Sequence, residues 1–486
     1  MENGEWIKAT LAFKKLTRAA PGLAPAWMGY GRCALMRGEM SVAEGAWQTA
    51  RNLEPKNINL LLELGHLFEG LRQPEKAREH FEAAMGADST AINPRISLAL
   101  LLEKNNRLAE ARQATEGCLA LDDGNDQARY VSALLSIREN QIGCAERQLR
   151  ELIAGGPQHQ YVQYAAHYEL ARILDQTGRF DEAMQELIEA KKRVMALADQ
   201  KFLIRHYDRI ADRQLRGAKE LPKDALRRWA KSFPEKLRVA IPPLAFLGGH
   251  PRSGTTLLEQ ILGAHPGVAA IDEPVVTQIA LAACKGQVWE SPVPRLNLAR
   301  QNYIASLRQS YDGDADGKIL LEKNPSPTSS LPALLRVFPE MRVIIALRDP
   351  RDVILSCYFQ NFALNEVNAN FLSFERLAKH YADLMGVWRT VREWEDLAWM
   401  ETRYEDVVAD VEKEGGKVMK FLGIEWREQQ KCFFEQSQKK RVYSPTYDDV
   451  RKPVYTRSIS RWRCYEKYMA RALPVLEPFC RLFGYE

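Results

Sequence analysis

An alanine recurs every 34 residues through much of the first half of the chain, and this spacing constrains the fold more strongly than any other feature of the sequence. The periodic alanines are Ala43, Ala77, Ala111 and Ala145, and the residues four positions after them are Trp47, Phe81, Thr115 and Leu149. A spacing of four places both residues on one face of a helix. Small residues let two helices touch, while large ones fill the space between neighbouring pairs. The pattern therefore predicts an all-α superhelix of stacked helical pairs.

The complete pattern resembles that of tetratricopeptide repeats, which have this period. Two of the alanines are preceded by a matching helix motif, which reads Trp27-x2-Tyr30-Gly31 in one copy and Leu64-Gly65-x2-Phe68 in the next. A last copy, around Ala183, is displaced by four residues. We expect the repeat array to cover residues 1–195 and a charged helical linker to cover residues 196–240. Because such arrays have a concave face that commonly holds a peptide, the resemblance implies a protein or peptide partner.

Length and composition set further bounds. A chain of 486 residues exceeds the size at which one hydrophobic core usually stops growing, so we expect a second domain. A net charge of +5 is too small to indicate nucleic-acid binding. The eight cysteines form no C-x-x-C pair, which favours a reducing compartment and argues against a metal site. No apolar run approaches the roughly 20 residues of a membrane span. We therefore expect a soluble, cytoplasmic protein that uses no metal and binds no membrane.

Short apolar runs alternate with helical segments in the second half of the chain. The runs are Leu244–Leu247, Ile319–Leu321 and Val343–Leu347. Apolar strands that alternate with helices are typical of a parallel sheet covered by helices. We therefore expect an α/β domain over residues 241–486.

The first of these runs leads into a glycine-rich turn and then a helix. Gly249-x4-Gly254-Thr255-Thr256 has the spacing of a phosphate-binding P-loop, and this order of elements directs backbone N–H groups and a helix N-terminus toward one anion. Thr255 stands where a kinase or ATPase has the lysine that offsets the charge of a triphosphate. A P-loop kinase is therefore disfavoured. A phosphosulfate, which carries less charge on its terminal group, fits better.

Two motifs resemble those of sulfotransferases that use 3′-phosphoadenosine 5′-phosphosulfate (PAPS). Pro251–Thr256 resembles their 5′-phosphosulfate loop, and Leu347–Ser356 resembles their 3′-phosphate motif. The resemblance implies transfer of a sulfuryl group from PAPS to an acceptor hydroxyl, without a metal. The residues it assigns to the nucleotide are Arg252, Ser253, Gly254, Thr255, Thr256, Arg348 and Ser356.

The tyrosylprotein sulfotransferases are the most similar branch of this family, and four stretches in the same order support the likeness. These stretches are Asp272-Glu273, Lys323-Asn324-Pro325, Arg403–Val408, and Lys452-Pro453-Val454 leading to Ser460-Arg461-Trp462. The resemblance implies that Glu273 is the base and that Lys323 and Arg252 stabilise developing charge. It also places Tyr404, Ser460 and Arg461 at the nucleotide. We expect capping or salt-bridging roles for Asp272, Asp349 and Asp352, and packing or turn roles for His250 and His265.

Two departures from that branch leave the acceptor open. Pro274 follows the acidic pair where the animal enzymes carry an arginine, and Gln360 stands where they carry a basic residue. The acceptor can therefore be a protein tyrosine, a carbohydrate or a small-molecule hydroxyl. A different class of protein is a repeat scaffold with an inactive sulfotransferase-like domain. The inactive scaffold is disfavoured because the residues expected in an active site are all present, namely Arg252, Glu273, Lys323, Arg348 and Ser356.

Overall fold

The computed structural model describes residues 3–36, 39–71, 73–284, 291–435 and 456–485. The chain divides into two compact units, Met1–Ile173 and Leu174–Glu486. The predicted limits of the repeat array, at residue 195, and of the linker, at residue 240, stay predictions. Within the described ranges, no helix combines the length and the apolar character needed to cross a bilayer.

The first unit consists of consecutive helices that pack in pairs. Its helices are α1 (Asn3–Ala19), α2 (Ala24–Met36), α3 (Met40–Leu53), α4 (Ile58–Gly70), α5 (Pro74–Ala87), α6 (Ile92–Lys104), α7 (Leu108–Leu121), α8 (Asp126–Arg138), α9 (Ile142–Ala154) and most of α10 (Gln160–Gln176). Local signals explain where several of them begin. The side chain of Asn57 accepts a hydrogen bond from the Leu60 amide at 3.1 Å, and Asn125 caps α8 in the same way. Pro74 starts α5, where its missing N–H costs nothing.

The predicted helical packing of the repeats is confirmed. Ala43, Ala77, Ala111 and Ala145 are fully buried. A Cβ added to Gly31 would lie 2.1 Å from Trp47 Nε1, and one added to Gly65 would lie 2.2 Å from Phe81 Cε1. The glycine of the first helix thus makes room for the large residue of the second. This close approach explains why each of these two repeats combines a glycine in its first helix with a large aromatic residue in its second helix.

The second unit contains helices and a five-stranded sheet. Its helices are α11 (Phe180–Met195), α12 (Gln200–Glu220), α13 (Ala225–Ser232), α14 (Thr255–Gly263), α15 (Thr277–Ala283), α16 (Val293–Ser310), α17 (Leu331–Val337), α18 (Pro350–Tyr358), α19 (Phe374–Val391), α20 (Tyr404–Ala409), α21 (Val411–Leu422), α22 (Glu466–Met469) and α23 (Leu473–Phe483). Its strands are β1 (Leu244–Gly249), β2 (Val268–Asp272), β3 (Ile319–Lys323), β4 (Arg342–Leu347) and β5 (Trp399–Arg403). Short 3₁₀ helices cover Glu235–Leu237, Ser326–Ser330, Asn368–Leu372, Glu428–Cys432 and Arg461–Tyr465.

The sheet is entirely parallel, with the strand order β2-β3-β1-β4-β5. Leu247 of β1 pairs with Lys323 of β3, and Gly249 pairs with Ala346 of β4. The three predicted apolar runs form its central strands, so the predicted α/β class is confirmed. The strand order reverses at β1. In such sheets a crevice opens beyond the carboxyl ends of the strands at this reversal, which is where ligands bind.

Helix α12 lies in the segment predicted as a linker and packs against α19. The ring of Tyr207 stacks on His380 with centroids 5.3 Å apart. Arg376 donates to Asp208 at 2.8 Å. The charged face of α12 is therefore partly used in packing against α19.

Candidate active site

The turn after β1 is held in a conformation that requires glycine. Gly249 has φ +133, and a Cβ there would lie 2.4 Å from the carbonyl oxygen of Ala346. Its amide donates to Thr328 Oγ1 at 2.9 Å, and the Thr328 hydroxyl donates to the Gly249 carbonyl at 3.0 Å. These contacts fix the direction in which the chain leaves the sheet.

The loop then enters α14 through two residues in the left-handed region. Arg252 has φ 74 and Gly254 has φ 91. Between them, the amide of Ser253 donates to the His250 carbonyl at 3.1 Å, which closes the turn. A Cβ at Gly254 would lie 2.7 Å from the ring of Tyr404. The predicted loop residues therefore surround the N-terminus of α14, which starts at Thr255. A helix N-terminus favours a bound anion.

Three residues predicted to bind the nucleotide lie together beside this loop. Arg252 Nε donates to Ser356 Oγ at 3.0 Å. Arg348 donates to the Arg252 carbonyl at 3.2 Å, and its guanidinium lies 4.9 Å from the centroid of the Tyr404 ring. The Nε of Arg348 is buried and has no hydrogen-bond partner among the described residues. A buried donor without a partner is costly, so this atom is available to an anion.

A second cluster joins the carboxyl ends of β2 and β3 to the same loop. Lys323 Nζ lies 3.0 Å from Glu273 Oε1 and 3.4 Å from Thr256 Oγ1, and it forms an ion pair with Asp272. Lys323 is fully buried, whereas the Glu273 side chain is 38% exposed. Burial acts to lower the pKa of Lys323, but the charges of Asp272 and Glu273 outweigh it and the pKa is raised. The lysine therefore remains a cation between the two carboxylates.

The backbone of Glu273 is also unusual. Its φ is 47, and its amide donates to the Lys323 carbonyl at 2.7 Å. Non-glycine residues in this region carry strain, which persists where the surroundings enforce it and often marks functional sites. Arg252, Glu273 and Ser460, all predicted site residues, share this property.

The described part of the C-terminal loop lies over the 3′-phosphate motif. Arg348 donates to the Ser458 carbonyl at 2.6 Å. The carboxylate of Asp352 accepts from the amides of Ser460 at 2.7 Å and Trp462 at 2.8 Å. Burial raises the pKa of Asp352 to about 6, although Arg348 and these two amides act in the opposite direction.

The two aspartates of this motif have different roles. Asp349 caps α18 and accepts from the Arg351 amide at 2.9 Å, so the helix-start prediction is confirmed for it. For Asp352 that prediction is wrong, because its carboxylate bonds the 460–462 backbone instead. Asp352 precedes Ser356 by four residues, which places both on one face of α18. That spacing places Asp352 beside Ser356 but does not specify the 460–462 backbone as its partner.

Arg461, which was predicted to lie at the nucleotide, contacts Asp175 and Phe359. Its Nε donates to Asp175 at 2.9 Å, and its guanidinium lies 4.1 Å from the centroid of the Phe359 ring. Asp175 was absent from the sequence-based predictions, and no local pattern indicates it. Nucleotide contact by Arg461 stays a prediction. The Lys452-Pro453-Val454 stretch lies outside the described residues.

The two histidines near the site are packing and turn residues, as predicted. His250 Nδ1 lies 2.8 Å from the Pro251 carbonyl, which can only accept, and its Nε2 lies 2.8 Å from His380 Nδ1. Burial lowers the pKa of His250 to about 4, so the ring is neutral near pH 7. His265 Nδ1 accepts from the Gly267 amide at 3.0 Å within a turn.

Comparisons with known proteins agree with this organisation. Residues 243–428 match the Sulfotransferase family, and residues 131–193 match the Tetratricopeptide repeat family. These two matches agree with the resemblances to tetratricopeptide repeats and to sulfotransferases that the motifs indicate.

Individual relatives cover different shares of the chain. An uncharacterized protein of Aquifex aeolicus (strain VF5) is 23% identical over 442 residues, which cover 86% of this chain and 54% of that protein. Protein-tyrosine sulfotransferase 2 of Gallus gallus is 28% identical over 246 residues, which cover 45% of this chain and 63% of that protein. Protein-tyrosine sulfotransferase 1 of Homo sapiens is 31% identical over 122 residues, which cover 22% and 32%. The chain thus spans less than two thirds of the length of each of these relatives.

Proposed function

We propose that the second unit is a sulfotransferase that moves a sulfuryl group from PAPS to an acceptor hydroxyl. One observation carries the proposal: the loop between β1 and α14 joins an arginine–serine cluster on one side to a lysine–carboxylate cluster on the other. Arg252 contacts Ser356, and Thr256 contacts Lys323. The first cluster suits a phosphate, and the second suits proton transfer and charge stabilisation. The match of residues 243–428 to the Sulfotransferase family supports the same assignment.

The residues present fit the nucleotide. In our proposal, Arg348 and Ser356 hold the 3′-phosphate, and the unpartnered Nε of Arg348 supplies a charge-assisted donor. Arg252 and the backbone of Ser253, Gly254, Thr255 and Thr256 hold the phosphosulfate. Tyr404, whose ring packs against Gly254 and Arg348, and Ser460 complete the site.

The proposed chemistry needs a base and a fixed cation. When bound, PAPS supplies a sulfuryl group whose bond to the bridging oxygen breaks as its bond to the acceptor oxygen forms. Glu273 accepts the proton from the acceptor hydroxyl, and its partial exposure leaves it accessible to that hydroxyl. Lys323, kept a cation by the charges of Asp272 and Glu273, stabilises charge that develops on the transferred group. No described residue needs to move for Lys323 to contact both Glu273 and the loop.

We propose a protein tyrosine as the first acceptor to test, because relatives bear that activity in their names. The residues beside the base are nevertheless uncharged. Pro274 accepts from Asn324 Nδ2 at 3.3 Å, and Val275 is 91% exposed. An acidic peptide would find no arginine at these two positions, so simple phenols and carbohydrate hydroxyls belong in the same experiment. For the repeat array we propose a protein or peptide partner.

A transfer assay tests the function directly. The full chain is incubated with PAPS and, in separate reactions, with a tyrosine peptide, a simple phenol and an oligosaccharide, and products are identified by mass spectrometry. We expect the mass of one sulfuryl group on at least one hydroxyl and equimolar release of 3′-phosphoadenosine 5′-phosphate (PAP). Glu273→Gln serves as the matched negative control. PAP binding without any transfer would favour the inactive scaffold.

A further inference from the structure

The turn of residues 458–462 is hydrogen-bonded on one side to the predicted 3′-phosphate motif. Arg348 donates to the Ser458 carbonyl at 2.6 Å. Asp352 accepts from the amides of Ser460 and Trp462. Each of these contacts uses a residue of β4, α18 or the junction between them. The position of the turn therefore depends on the segment that carries the predicted phosphate ligands.

On its other side, the 458–462 turn and the residues after it are hydrogen-bonded to Asp175, which lies near the C-terminal end of α10. Asp175 Oδ1 accepts from Arg461 Nε at 2.9 Å and from the Tyr465 hydroxyl at 2.7 Å. The guanidinium of Arg461 lies 4.1 Å from the centroid of Phe359, which covers it. The side chains of Asp175 and Arg461 are 16% and 20% exposed. Charge-assisted hydrogen bonds in such partly buried surroundings are stronger than exposed ones.

The hydrogen bonds to Asp352 and to Asp175 involve alternating residues of the turn. Asp352 holds residues 460 and 462 through their amides, and Asp175 holds residue 461 through its side chain. Ser460, at the centre, has φ 56, a strained conformation for a non-glycine residue that persists only when its surroundings enforce it. Releasing the side chain of Arg461 therefore removes one of the two restraints on a strained turn.

We propose that Asp175 is a positioning residue for the nucleotide site: it holds the 458–465 segment so that Arg348, Ser356 and the turn form one pocket. This inference rests on the proposed function, and it adds a residue from the helical half of the sequence to a site otherwise built from residues after Gly249. Asp175 acts through Arg461 and Tyr465 and touches no reacting group.

The test measures PAP affinity by calorimetry and local amide hydrogen exchange on the full chain. We expect Asp175→Ala to weaken PAP binding about tenfold, equivalent to one strong hydrogen bond. Exchange should rise in residues 458–465 and stay unchanged in the strands. Asp175→Glu should recover most of the affinity because it keeps the charge. A residue needed only for overall folding would raise exchange throughout the unit and would not be rescued in this way.

Asp181 provides the matched control. It lies in the first turn of α11 and pairs with Lys467 at 2.7 Å and Tyr468 at 2.9 Å, but its side chain is 67% exposed. We expect Asp181→Asn to bind PAP within about twofold of the unsubstituted protein, as for other exposed pairs. If Asp175→Ala fails to fold, Tyr465→Phe removes one of the two donors and keeps the ring, and it should weaken PAP binding about threefold.

The outcomes separate this inference from the function on which it rests. Unchanged PAP affinity in Asp175→Ala, or in Tyr465→Phe where the first variant is unfolded, would overturn the inference and leave the sulfotransferase proposal intact. Absence of PAP binding by the unsubstituted protein would overturn both.

Discussion

Glu273 Oε1 lies 3.0 Å from Lys323 Nζ, and the amide of Glu273 donates to the carbonyl of the same lysine at 2.7 Å. The side chain and the backbone of Glu273 are thus both tied to the end of β3. This double attachment explains how a residue with φ 47 keeps one orientation at the mouth of the site. It also makes Glu273 and Lys323 one unit in which each charge stabilises the other.

Glu273→Gln should separate binding from chemistry. The amide keeps the size of the carboxylate but cannot accept the acceptor's proton, so kcat should fall by about 10²–10⁴, the range of general-base catalysis. PAP affinity should hardly change, because the 3′-phosphate residues are untouched. Steady-state kinetics and calorimetry measure the two quantities. Asp272→Asn is the control and should cost much less, and a reversed order would identify Asp272 as the base.

Arg348→Ala should remove selectivity for the 3′-phosphate. Loss of a charge-assisted contact should weaken PAP binding by about 1.5–3 kcal/mol, while binding of adenosine 5′-phosphate changes little. Arg342, at the opposite end of β4, donates to the Leu422 carbonyl at 2.7 Å and provides the matched control. Arg342→Ala should keep the preference for PAP. Equal weakening of both nucleotides by Arg348→Ala would place the 3′-phosphate elsewhere.

Much of this site was predictable because its residues belong to local motifs. The loop Pro251–Thr256 and the segment Leu347–Ser356 each follow an apolar run, and the carboxyl ends of parallel strands meet at one edge. The contacts of Asp175 and Asp352 were not predictable in the same way. Both bond residues more than 100 positions away, and nothing near either aspartate specifies such a partner. The left-handed backbone of Glu273 depends likewise on the neighbouring strand.

Asp352 should make stability depend on pH in mildly acidic solution. Its pKa is about 6 in the folded protein, against 3.8 ordinarily, so between these values the folded state binds more protons than the unfolded state. The free energy of unfolding should therefore fall as pH rises through this window. Asp352→Asn lacks this titration. We therefore expect the difference in thermal midpoint, unsubstituted protein minus variant, to decrease as the pH rises from 4 to 6. A constant or increasing difference would contradict a raised pKa for Asp352.

Gly249→Ala should destabilise the second unit. The added Cβ would meet the Ala346 carbonyl at 2.4 Å, a backbone atom that cannot rotate away, and φ +133 is unfavourable for alanine. We expect a loss of about 2 kcal/mol or more in the free energy of unfolding. Gly416, in α21, has open space around it, and Gly416→Ala should be neutral or stabilising. Equal thermal midpoints for the two variants would contradict this account of the turn.

Calorimetric titration of the unsubstituted full chain with PAP, in EDTA, distinguishes a PAPS-binding site from a kinase-type site. We expect one PAP site per chain with micromolar affinity. We also expect that adenosine 5′-phosphate binds more weakly than PAP and that ATP with Mg²⁺, titrated in a matched buffer without EDTA, does not bind more tightly than PAP. The reasons are the threonine at the lysine position of the loop and the available Nε of Arg348. Tighter binding of ATP with Mg²⁺ than of PAP would overturn the PAPS assignment and indicate a kinase-type site.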